Sequence, residues 1–253
     1  MTAHTQTLGR TDEPESIPVV EGWVGNWRIS LRRRNYSNDE LCDLYEVQAR
    51  DWDDGLSSMR VPEAYHRIHT ALDTQGEQSL DTPKRVLDCG IGTGAFSTAL
   101  IKSTPYPIEL HGVDISPEMI SCARKQLERY GVTPHLSVAD ARSLPYGDNQ
   151  FDLVMAAHML EHLAEPQATL AEMTRVLKPG GRLLLCITRN SLLGRHIQLK
   201  WRTHAINRQT ARRWLQAIGL SDIQFPKPHR QPAFNNRTLV CSARKRPYNQ
   251  QKD

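Results

Sequence analysis

Between residues 84 and 188 short apolar runs alternate with longer amphipathic stretches, and this rhythm restricts the fold more than any other feature of the chain. The apolar runs fall at 84–88 (KRVLD), 109–113 (ELHGV), 134–138 (PHLSV), 151–156 (FDLVMA) and 182–187 (RLLLCI). Helical patterns lie between them, near 94–103, 117–130 and 165–177. Strands separated by helices of this length are joined by crossovers, which makes βαβ units and a mostly parallel sheet. A helix over about 208–218 and strand patterns at 221–225 and 236–243 follow. Two more helices are expected upstream, one from Asn38 onward and one over about 62–73 starting near Pro62. The expected fold is therefore α/β: a doubly wound, mostly parallel seven-stranded sheet with N-terminal helices and an antiparallel last strand.

The first twenty residues are polar, include Pro14 and Pro18, and show no periodicity. Residues 1–37 are read as a partly disordered N-terminal extension, 38–246 as one domain and 247–253 as a disordered tail. Trp23 and Trp27 suggest some packing within 21–38, where no element is assigned. No apolar run approaches the roughly 18 residues that would span a bilayer, and the N-terminus lacks the apolar core of a secretory signal. The five cysteines are scattered without a CxxC pair; Cys89 and Cys186 sit in apolar runs and read as reduced, buried thiols. A reducing, cytoplasmic setting is expected. Charge is uneven: residues 191–253 carry thirteen Lys or Arg against two acids, a balance of +11, which leaves −7 for residues 1–190 of a chain whose total is +4. Such a C-terminal third suits a solvated basic surface or an anionic partner.

The strongest local signal is Val86-Leu87-Asp88-Cys89-Gly90-Ile91-Gly92-Thr93-Gly94, which ends a strand and enters a helix. Glycines at such a turn let backbone approach a ligand closely. The spacing is GxGxG, whereas the dinucleotide fingerprint is GxGxxG. Asp88 precedes the first glycine by two residues; its carboxylate would repel a pyrophosphate but suits the ammonium group of a zwitterionic ligand. A nicotinamide oxidoreductase is disfavoured on both counts. Asp114 ends the second strand about twenty residues on, where an acid can accept both hydroxyls of a ribose. Asp140-Ala141 ends the third strand, where a carboxylate can accept an adenine amine. Three acids at three consecutive strand ends converge on one crevice.

These stretches resemble the class I S-adenosylmethionine-dependent methyltransferases, in the group that modifies small molecules. VLDCGIGTG is similar to that family's first motif, GVDIS to the second, and ADARSLPYGDNQFDLVMA to the third and fourth. RVLKPGG (175–181) is similar to the loop before strand five, where Gly180-Gly181 is expected to end a helix. The resemblance implies S-adenosyl-L-methionine as cofactor and a Rossmann-like sheet over the 38–246 domain. It implies that Asp88 and Gly90 face the methionine moiety and that Gly92 and Gly94 shape the turn. Asp114 would hold the ribose, Ile115 would pack on adenine, and Asp140 and Ala141 would bind its edge. Ala157 and His158 would lie near the sulfonium. Tyr45, in YEVQARDWD, would close over the cofactor or, alternatively, form part of a core-facing helix stripe.

The chemistry then asks for alignment, exclusion of water and, for a hydroxyl or ammonium acceptor, a base. His158 and His162 in HMLEH are the catalytic candidates, with Glu161 between them; the alternatives are a loop-fixing role for Glu161 and His162, or a divalent ion held by the three. No other His or Cys cluster has metal-ligand spacing, and no metal is assigned. The expected function is methyl transfer to O, N or C of a small-molecule acceptor. Quinone or lipid acceptors at a membrane surface, RNA, and a non-catalytic partner subunit stand as alternatives. Ala157-His158-Met159-Leu160 at the fourth strand's end lacks the Asn-Pro-Pro-aromatic stretch of adenine-amine enzymes, and stacking aromatics are few in the basic region. Residues 191–207, mixing Leu192, Ile197 and Trp201 with Arg195, Lys200 and Arg202, suit an anionic or amphiphilic acceptor or peripheral membrane contact.

Overall fold

Val86 and Leu87 leave their strand on opposite faces, and each enters a different apolar core. A sheet whose strands are apolar on both sides has to be covered on both sides. The computed structural model describes residues 16–24, 26–34, 61–74, 85–104, 107–163, 165–188, 206–227 and 238–247. The elements are β1 (Ser16–Val24), β2 (Trp27–Arg34), α1 (Val61–Thr74), β3 (Arg85–Cys89), α2 (Ala95–Ser103), β4 (Glu109–Asp114) and α3 (Pro117–Glu128). They continue with β5 (His135–Val138), β6 (Phe151–Ala157), a 3-10 turn at Leu160–His162, α4 (Pro166–Val176), β7 (Leu177–Thr188), α5 (Arg208–Ala217), β8 (Leu220–Gln224) and β9 (Thr238–Lys245).

Seven strands form one sheet in the order β5-β4-β3-β6-β7-β9-β8. Pairing is parallel from β5 through β7, while β9 runs antiparallel to both β7 and β8. The expected seven-stranded, mostly parallel sheet with an antiparallel last strand is therefore present. Ala64, Tyr65 and Ile68 of α1, Phe96 and Leu100 of α2, and Ile120 and Leu127 of α3 pack one face with Val86, Leu184 and Cys186. Leu170 and Met173 of α4 and Leu215 of α5 pack the other with Leu87, Phe151, Leu183 and Leu185. Each such buried side chain stabilises by roughly 1.5–3 kcal/mol relative to exposure, so the two cores carry the domain.

Local signals set several boundaries. The Ser116 hydroxyl accepts the Met119 N–H at 3.2 Å and caps α3, with Pro117 in the first turn. Asn207 caps α5 by accepting the Thr210 N–H at 2.9 Å. Gly180-Gly181 behaves otherwise than expected. Helix α4 already stops at Val176, and the two glycines lie inside β7, in a bulge between the pairs Phe151–Leu177 and Leu153–Arg182. Gly180 is left-handed at φ 79°, and a Cβ on Gly181 would stand 2.8 Å from Lys178 O. The bulge, rather than a helix cap, demands them.

Ser16–Val24 and Trp27–Arg34 pair as an antiparallel hairpin, where the sequence showed no element and residues 16–20 were expected to be disordered. Trp27, read as a packing residue, is 79% exposed at its turn. Tyr45, the helix expected after Asn38 and residues 191–205 lie outside the described residues. So do the start of the N-terminal extension and residues 248–253 of the tail. Among the described residues no helix is long and apolar enough to cross a membrane.

Candidate active site

The strand order reverses at β3: the chain runs outward to β4 and β5, then returns across the sheet to β6 on the other side. The two crossovers part there and leave a crevice at the C-terminal strand ends. The Gly-rich turn lies at this point. Gly90 and Ile91 both donate to Val113 O, at 2.8 and 3.0 Å, which ties the turn to β4. Gly90 has φ +67°, and a Cβ there would lie 2.6 Å from Met159 Cγ, so glycine is required by both conformation and space. Gly94, also left-handed, sits at the N-cap of α2 without a side-chain cap.

Two acids are built into this turn. The Gly92 N–H donates to Asp114 Oδ2 at 2.9 Å and the Ser116 N–H to Asp114 Oδ1 at 3.0 Å. Burial raises the Asp114 pKa, and these backbone donors partly offset it. The Ile115 N–H acts on the same carboxylate, so three backbone donors meet it. Asp88 is 1% exposed; its Oδ2 accepts from the Ser97 hydroxyl at 2.7 Å, and its Oδ1 is buried with no hydrogen-bond partner. Burial pushes the Asp88 carboxyl up to about 7, with the Ser97 bond opposing and the Asp114 charge adding. An orphaned, buried carboxylate oxygen is costly unless a cationic donor reaches it. Asp140 is less committed: Arg142 grips it at 2.6–3.1 Å in a partly exposed pair, which contributes little and yields cheaply to a ligand. Ala141 is buried and Ile115 half-buried beside these acids.

Across the crevice, β6 ends at Ala157 and the chain enters the HMLEH turn. His158 has φ +56°, a strained conformation for a residue with a side chain, and its N–H is held by Cys186 O at 2.8 Å. Its Nδ1 lies 3.1 Å from both Glu161 Oε1 and Thr188 Oγ1. Glu161 is 1% exposed, and its Oε1 also accepts the Thr188 N–H at 2.9 Å and the Thr188 hydroxyl at 2.6 Å. Burial works to raise the Glu161 pKa, but the His158 bond and charge, His162 and Thr188 together hold it down, to about 2. An ionised Glu161 accepts only, so Nδ1 of His158 is the nitrogen that donates to it, and in the neutral ring Nε2 is the one left to accept. His162 is half-buried on the same turn and acts on Glu161 by its charge.

The structure therefore brings Asp88, Gly90, Gly92, Asp114, Ala157 and His158 to one end of the sheet. It adds three residues that sequence reasoning passed over. Ser97 supports Asp88, and Thr188 supports Glu161. Tyr65, 4% exposed on α1, has its ring 4.8 Å from Phe96 and 6.4 Å from His158. Thr188 ends a central strand, the position open α/β sheets give to ligands, and that was its only signal. Tyr65 had none, because nothing local to residues 61–74 says which face meets the crevice. Cys89 and Cys186 are buried, and burial raises both thiols well above the ordinary range, which leaves them inert.

Residues 87–185 match the family model described as a methyltransferase domain. The chain is 39% identical over 122 residues to the ubiquinone/menaquinone biosynthesis C-methyltransferase UbiE of Chromobacterium violaceum, covering 47% of this chain and 49% of the relative. It thus spans about half the length of that relative. The fold is similar to that of magnesium protoporphyrin IX methyltransferase from Synechocystis PCC 6803, solved with bound S-adenosylmethionine, at a TM-score of 0.61 and 18% identity over 82% of this chain and 96% of that one. It is equally similar to the [4+2]-cyclase SpnF, at a TM-score of 0.63 and 18% identity over 84% and 98% of the two chains. The glycine turn, the acids at successive strand ends and the sheet order agree with the sequence match: residues 87–185 are similar to a methyltransferase domain, and the sheet has the fold of solved S-adenosylmethionine-dependent methyltransferases.

Proposed function

We propose that this chain transfers a methyl group from S-adenosylmethionine to a small-molecule acceptor, with His158 as the general base. The observation that carries the proposal is the His158–Glu161–Thr188 arrangement facing the glycine turn from the end of β6. The residues present fit the cofactor. The orphaned Oδ1 of Asp88 suits its ammonium group, and the carboxylate of Asp114, fixed by backbone donors at the strand end, suits the ribose. Ile115, Asp140 and Ala141 would take the adenine, with Arg142 released from Asp140. Gly92 leaves open space at the turn, Gly90 lets Met159 pack close and Gly94 lets α3 pack close, and Ala157 adds a small surface beside His158.

When bound, the cofactor supplies an already activated methyl group, so the protein has no hard bond to break by itself. The chain's own task is to hold the acceptor atom in line and exclude water. Nε2 of His158 removes the proton from an acceptor hydroxyl or protonated amine, Glu161 stabilises the imidazolium that results, and Thr188 keeps Glu161 in place. His162, on the same turn as Glu161, is given a supporting role. A phenolic or quinol acceptor suits this base, since loss of the hydroxyl proton also activates the ring carbon. The UbiE name of the matched relative favours that acceptor class and methylation at carbon.

Calorimetric titration with S-adenosylhomocysteine, S-adenosylmethionine and NAD tests the cofactor first. Binding of the first two and not of NAD is expected; binding of NAD alone overturns the reading. Incubation with labelled S-adenosylmethionine and a panel of demethylated quinols, simple phenols, lipids and RNA then tests the acceptor. Label found only in RNA would refute the small-molecule reading.

A further inference from the structure

Three potential metal ligands meet at the opposite end of the sheet from the crevice. Glu109 and His111 are two residues apart on β4, so both side chains leave the same face. His135 opens β5 and is the direct parallel-ladder partner of His111, which places its side chain on that face as well. One ligand atom from each of the three lies within 4.8 Å of the others. The two imidazoles stack at 4.7 Å, and His111 is fixed from below by Phe151 and Tyr146, at 5.2 and 5.5 Å. Two histidines and a carboxylate on adjacent strands, one buried and two exposed, form a three-ligand set that leaves a position open to water.

A cation, the Arg85 guanidinium, already stands against two of the three groups. His111 Nε2 lies 2.7 Å from Glu109 Oε1, which only accepts, and 3.3 Å from the Arg85 guanidinium, which only donates. One ring nitrogen cannot donate to the first and accept from the second at once. Arg85 also donates to Glu109 Oε1 at 3.0 Å, so the guanidinium supplies the positive charge where a metal ion would bond both atoms. Arg85 is about one-third exposed and rests over the Phe151 ring at 5.2 Å, so it can swing toward solvent.

We propose that Glu109, His111 and His135 bind a divalent transition-metal ion of the zinc class, displacing Arg85 from Glu109 and His111. The ion joins the edge strand β5 to β4. Its two ligands on β4 stand three and five residues from Asp114, about 10 and 16 Å at the usual strand rise, too far for the ion to touch a group bound at that strand end.

The test is titration of the metal-free full chain with Co²⁺, read by visible d–d absorption, followed by Zn²⁺ competition. One equivalent of Co²⁺ with a tetrahedral spectrum is expected, displaced by Zn²⁺. His135→Ala and Glu109→Gln change exposed positions and spare the core; each is expected to weaken binding at least about 100-fold, the upper end of what loss of a mere outer partner costs. Arg85→Gln is expected to tighten it. The proposal is overturned if no stoichiometric spectrum develops, or if binding survives in His135→Ala. It is equally overturned if binding is lost in His158→Ala while His135→Ala leaves it intact, because the ion would then belong to the HMLEH turn.

Discussion

His158 Nδ1 and Glu161 Oε1 lie 3.1 Å apart, joined across a 3-10 turn whose only buried carboxylate is also gripped by Thr188 from the neighbouring strand. This relation sets which nitrogen of the neutral imidazole donates and which is left to accept. If it serves catalysis, His158→Ala should lower kcat by about 10²–10⁴-fold, the usual contribution of a general base. Glu161→Gln should lower it less, about 10–100-fold, because the base remains but its tautomer is no longer set. Neither change should move the dissociation constant of S-adenosylhomocysteine more than a few-fold. Equal losses of binding and turnover would assign His158 to cofactor binding alone.

If Asp88 receives the ammonium group of the cofactor, as proposed, cofactor affinity depends on pH. The Asp88 carboxyl is pushed up to about 7 by burial, so below that pH a proton must leave before an ammonium can pair with it. Affinity for S-adenosylhomocysteine should rise up to tenfold per pH unit below about 7 and level off above it. The same group destabilises the ligand-free fold as pH rises, since the folded state holds this proton more tightly than the unfolded chain does. That loss sets in above the ordinary carboxylate range and is complete above about 7. Calorimetry between about pH 5.5 and 8.5 checks the first statement; in Asp88→Asn the slope should vanish and affinity should be low throughout.

Gly90→Ala puts a methyl group 2.6 Å from Met159 Cγ and 2.9 Å from Met159 Cβ, at a φ of +67°. The conformational strain alone costs about 1–2 kcal/mol. Met159 must also move, and it follows His158 directly in the chain. Thermal unfolding should show a lowered midpoint and calorimetry a weakened ligand; an unchanged Kd would mean that the turn does not face the cofactor.

Lys245, at the end of β9, stabilises the opposite side of the domain. Its Nζ donates to Thr174 O at 2.7 Å, Leu177 O at 2.8 Å and Asn149 Oδ1 at 2.8 Å, closing off the C-terminal end of α4 where the chain turns into β7. Lys245→Met should destabilise by about 3 kcal/mol, the upper range for hydrogen bonds from a charged donor, without altering cofactor affinity. Urea unfolding measures it, and a loss below about 0.5 kcal/mol would show these bonds to be replaced by water.

What the amino-acid order determined by itself is whatever depends on near neighbours. The period of apolar residues marked β3 to β9, Ser116-Pro117 marked the start of α3, and the glycines with Asp88 and Asp114 marked one crevice. Those signals are local because backbone conformation and side-chain alternation act over a few residues. Gly180-Gly181 was misread as a helix end because a bulge is defined by two strands, and the partner Asp152 lies far back in the chain. Tyr65, Ser97 and Thr188 acquired a meaning only when α1, α2 and β7 packed around the β3 and β6 ends. Glu109, His111 and His135 became neighbours by the same means, through the register of β4 against β5. Such meetings follow from how both faces of one sheet are buried, a condition the whole chain satisfies together and no single segment carries.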